Sequence, residues 1–214
     1  MKNLLLLLLI LPFLSSPALA AKKPKKAAPP PPAAANITQN LPCTAGSELI
    51  PLPLLKRESS SWADVFQALG EGRLCPLPAG VKQVLRFTWI RGFQPAMSVK
   101  VTEYGDHSEY VLKQLENAGG RPGAKPPVPK TGTVTAADAK LLAKLLEKYE
   151  YWHQSPKGPV GGKSDWILEA AEPARYHAVY RSAPGKTGSD GQFRAIGEEL
   201  LKIGGVKVKA KDLY

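Results

Sequence analysis

The chain has 214 residues and carries 29 lysines and arginines against 18 aspartates and glutamates, a net charge of +11. Only 22% of residues are charged and 43% are hydrophobic, which excludes a fully disordered chain and a polytopic membrane protein. The length allows one ordinary domain and not two large ones.

Met1 to Ala20 reads as a secretory signal peptide: a positive start at Lys2, an apolar run from Leu4 to Leu14, then the small residues of Ala18-Leu19-Ala20. Cleavage is expected after Ala20. The apolar run falls short of the roughly 20 residues a transmembrane helix needs, so no transmembrane segment is expected after cleavage. Residues 21–40 follow as a disordered linker rich in Lys, Pro and Ala. Lys22, Lys23, Lys25 and Lys26 lead it, and the prolines after them favour an extended chain with nothing to bury. Lys2 and these four lysines account for five of the excess charges, leaving +6 over residues 36–214. The linker lysines are either a tether to anionic lipid or polymer, or a solvated spacer.

Residues 41–214 are expected as a single α+β domain with a basic C-terminal tail. Cys43 and Cys75 are an even pair in an exported chain, which points to a disulfide worth about 3–4 kcal/mol through loop closure. Pro51 and Pro53 make Glu48–Leu55 an edge strand at best. Trp62, Val65, Phe66 and Leu69 fall on one helical face, and Gly70 ends that helix. Alternation predicts a half-buried strand over Val81–Arg91, with Arg86 and Thr88 on its polar side. Two further strands, Ala96–Tyr104 and Ser108–Leu115, complete a meander around Gly105-Asp106.

Asn117–Pro129 is a loop by its Gly and Pro content. Lys130–Val134 is a short strand candidate. Thr135 caps a helix with Asp138 three residues on, and Leu141, Leu142, Leu145, Leu146 and Tyr149 form its apolar stripe. Ser164–Ala170 and Tyr176–Arg181 read as a hairpin. Gln192–Ile203 is a final helix stopped by Gly204-Gly205. Short turns between strands argue for an antiparallel sheet, a meander plus a hairpin, with two to three helices on one face.

Asp165-Trp166-Ile167-Leu168-Glu169, Arg175-Tyr176-His177 and Ser182-Ala183-Pro184 together resemble a segment of uncharacterised exported bacterial α+β proteins. The resemblance spans about residues 84–203. It implies the same order of meander, helix, hairpin and helix, and it implies no activity or site residue.

Chemistry has few places to reside. Gly158 to Ser164 looks like a phosphate-binding loop but has Lys157 where the first Gly belongs, and it leads into a strand instead of a helix. His107, His153 and His177 lack metal-ligand spacing, so no metal and no cofactor is expected. Neither a Gly-x-Ser-x-Gly elbow nor Ser-x-x-Lys occurs. His177 shares a strand face with Arg175 and Arg181, and Asp165 and Glu169 are expected on that face from across the hairpin. Such a set is either a general acid–base or anion-binding site, or a solvated face with cross-strand ion pairs. Export argues against nucleic acid as the partner of the basic tail (Lys202, Lys207, Lys209, Lys211). The sequence reading is therefore a non-catalytic, periplasmic or secreted binding protein of the cell envelope. Its partner would be an anionic polymer, a lipid surface or another envelope protein. The alternative is a small envelope hydrolase centred on His177.

Overall fold

The computed structural model describes residues 41–44, 62–118, 125–156 and 164–207. The expected signal peptide, the expected linker with Lys22, Lys23, Lys25 and Lys26, the Glu48–Leu55 segment, the glycine-rich 158–163 stretch and the tail from residue 208 lie outside them.

Six strands form one antiparallel sheet: β1 Gln83–Arg91, β2 Pro95–Glu103, β3 Ser108–Ala118, β4 Lys130–Thr133, β5 Ser164–Glu172 and β6 Arg175–Ser182. Their order is β4-β3-β2-β1-β5-β6. Three helices accompany it: α1 over 62–68, α2 Ala136–Lys148 and α3 Gly188–Ile203. This is the α+β arrangement that short strand connections imply. Among the described residues no helix is long and apolar enough to cross a membrane.

Local sequence explains the element ends. The Thr135 hydroxyl accepts from the Asp138 N–H at 3.1 Å and donates to the Asp138 carboxylate at 2.7 Å, which fixes the start of α2. That hydroxyl, followed by Lys202, holds the Asp138 carboxyl below its usual range. α3 begins at Gly188, four residues before the expected Gln192, because Ser189, Asp190 and Gly191 form its first turn although their composition reads as loop. Gly205, at φ +74°, ends it.

The helices do not all lie on one face, as expected from the sequence; they divide between two. On the first, Phe87, Trp89, Val99, Trp166 and Leu168 meet Leu142 and Leu146 of α2 and Phe193, Ile196 and Leu200 of α3. α3 sits close enough that a Cβ on Gly197 would come within 2.5 Å of the Trp166 ring. On the second face, Trp62 and Phe66 of α1 pack with Val84, Ile167, Tyr176, Ala178 and Tyr180. The Cys43–Cys75 disulfide belongs to this second cluster. β1 is therefore buried on both sides, not half-buried: Arg86 is 1% and Thr88 0% exposed. The cover over them is α1 and the irregular chain after it, which shows no periodicity to announce itself.

Candidate functional site

The polar residues of β6 that the sequence singles out point into the α2–α3 side. His177 is 1% exposed. Its Nε2 lies 3.0 Å from the Gln154 carbonyl, and its ring meets the edge of Tyr151 at 5.2 Å. Arg181 donates to the Tyr149 hydroxyl at 2.9 Å and to the carbonyls of Tyr180 and Ser155 at 2.7 and 3.1 Å. Arg175 stacks 3.8 Å over the Trp152 ring and donates to Glu172 at 2.8 Å. Between them runs a 3₁₀ turn, Tyr151–His153, whose Tyr151 hydroxyl lies 2.8 Å from the His177 carbonyl. Burial drives the Tyr151 phenol well above its ordinary range and raises that of Tyr149 too. The three β6 residues thus fasten residues 149–156 to the sheet edge.

Asp165 and Glu169 do not join them. The hairpin turn is two residues, Pro173-Ala174, and it pairs Glu172 with Arg175, Ala170 with His177 and Asp165 with Ser182. In that register odd positions of β5 share a face with even positions of β6. Both carboxylates accordingly face the α1 side. Asp165 accepts from the Trp62 indole at 3.0 Å and from the Tyr180 hydroxyl at 2.9 Å. Glu169 accepts from Tyr176 at 2.7 Å.

The strongest electrostatic feature of the fold is one that sequence reading missed. Arg86 makes a two-pronged pair with Glu169, 2.7 Å for each contact, and reaches Glu71 at 3.1 Å and the Gly72 carbonyl at 2.6 Å. Ser98 donates to Glu71 at 2.6 Å, and Lys113 sits 3.3 Å from the same carboxylate. Burial alone would lift the Glu71 pKa, but Arg86, Ser98 and Lys113 outweigh it and hold the carboxyl below its ordinary value of 4.5. Burial would likewise lower Arg86, and Glu169 and Glu71 more than reverse that. The cluster balances two acids against two bases and ties the chain after α1 to β1, β2, β3 and β5. Arg86 and Glu169 sit at mid-strand on what alternation marks as the solvent side. Only knowledge of the cover would have identified them.

The remaining histidines are peripheral. His107 stacks on Tyr104 at 4.8 Å and pairs with Asp106 at 2.7 Å, a hydrogen bond that raises its pKa. His153 is exposed at the end of the 3₁₀ turn. Among the described residues no group of three or more His, Cys, Asp or Glu is placed to hold a metal ion. A shallow cleft between β1, β2 and α2 is lined by Gln83, Glu103 and Ser108, with Leu142 at its apolar wall. It brings together hydrogen-bonding groups, Glu103 and Ser108 being cross-strand partners. No family model matches the chain, and no curated protein matches it.

Proposed function

We propose that this chain is a non-catalytic exported binding protein of the cell envelope that attaches to an anionic partner. One observation carries the reading. Each ionisable side chain buried in the described fold already has an internal partner: Arg86 with Glu169, His177 with Gln154, Arg181 with Tyr149 and Arg194 with Glu198. Charge available to an outside partner is therefore surface charge. The linker adds Lys22, Lys23, Lys25 and Lys26 to it. A hydrolase at His177 has less behind it, because the imidazole is enclosed and both nearby β5 carboxylates lie across the sheet.

Co-sedimentation of the exported chain with isolated envelope fractions, across a salt series, tests the reading. Attachment that weakens steeply as salt rises is the expected outcome. No attachment at low salt would remove it.

A further inference from the structure

We infer that the outward side of α2 is the docking strip for a linear polyanion, an inference that rests on the binding function proposed above. Lys140, Lys144 and Lys148 recur at every fourth position, and all three are exposed. At a rise of 1.5 Å per residue their stems stand about 6 Å apart along the helix. Successive positions four apart share one face, and this face is opposite the one that buries Leu142 and Leu146. None of the three lysines enters an ion pair within the described residues. Of the two acids on α2, Asp138 is already held by Lys202 at 2.9 Å. Glu147 remains as one negative charge at the margin of the strip.

The form of the strip selects its partner. A helix that settles on a lipid surface does so by burying an apolar face among acyl chains. The apolar face of α2 is occupied by the protein core, and its one exposed large hydrophobic is Leu141, 39% exposed, beside the lysines. What α2 offers outward is a row of point charges without an insertable face. A row of that kind matches a chain polymer bearing carboxylate, sulfate or phosphate groups at regular intervals, and gains affinity by releasing the counterions of each group it contacts.

The test uses the full exported chain, titrated with dextran sulfate and with poly-L-glutamate at several salt concentrations. Three forms are compared: wild type, the K140Q/K144Q/K148Q variant, and a variant with Lys22, Lys23, Lys25 and Lys26 all changed to Gln. The α2 variant is expected to lose about tenfold or more in affinity at low salt, and its plot of log affinity against log salt to flatten by about 2. If the α2 variant binds as wild type does while the linker variant fails, the strip is not the site and the binding function rests on the linker. If wild type binds neither polymer yet still sediments with envelope fractions, the inference falls and the function stands with another partner. Binding to phosphatidylglycerol vesicles but to neither polymer overturns it in favour of a lipid surface.

Discussion

The two faces of the sheet are closed by different physics. On the α2–α3 side the contact is aromatic and aliphatic, with Trp89, Trp166, Phe87 and Phe193 all within 1% of complete burial. Two helices of 13 and 16 residues supply the apolar surface on that side, and polar links are added at its margins by His177, Arg181 and the Lys202–Asp138 pair. On the α1 side the cover, among the described residues, is a short helix, an irregular stretch and four residues around Cys43. Its apolar packing is joined by point fastenings: the disulfide, the Arg86 cluster, and Asp165 between Trp62 and Tyr180. A packed face tolerates small adjustments. A fastened face fails at its fasteners.

This contrast can be broken experimentally, and the largest effect is expected at Arg86. Arg86→Ala leaves Glu169 buried without its cation and Glu71 with Lys113 alone, and should cost about 3–5 kcal/mol in denaturant unfolding. A loss under about 1 kcal/mol would mean that the cluster is ornamental. Replacing Cys43 and Cys75 together by Ser should cost about 4 kcal/mol, the loop-closure value for a sequence separation of 32. Because both changes release the same cover, their costs should fall short of adding in a double-mutant cycle. Strict additivity would show that the α1 side is not one unit.

Gly197→Ala tests the packed face. The new methyl must displace the Trp166 ring, for an expected cost of about 1–3 kcal/mol. A smaller stability effect is pH dependence through Glu71. Its folded pKa lies below the unfolded value, so its contribution is complete above about pH 4.5 and fades as pH falls through the lower folded value. Glu71→Gln should flatten the stability profile below pH 4.5; an unchanged profile would assign the acid sensitivity to other carboxylates. The K140Q/K144Q/K148Q variant should unfold within about 0.5 kcal/mol of wild type, as substitutions at exposed positions do.

Strand positions were legible because alternation and turn residues are local. The disulfide was legible from the cysteine count, and the α2 cap from Thr135 and Asp138. The division of helices between two faces was not, since α1 carries the same apolar spacing whichever face it meets. The misplacement of Asp165 and Glu169 was avoidable in principle. A two-residue turn fixes the pairing parity, and Pro173-Ala174 is such a turn once the strand ends are known. Arg86 was out of reach, because a charged residue on the polar phase of a strand looks the same whether water or Glu169 receives it.

The bridge between Leu41 and Tyr176 bears on how the protein behaves in a crowd. Leu41 and Tyr176 exchange backbone hydrogen bonds at 3.0 and 2.7 Å, and the Pro156 carbonyl accepts the Tyr180 N–H at 2.8 Å. β6 is thus plugged near both ends, and at the opposite margin β4 is only four residues long and begins with a lysine. At these points a stray extended segment finds the edge donors and acceptors already taken. The short bridge at Leu41 therefore blocks edge-to-edge pairing where β6 begins.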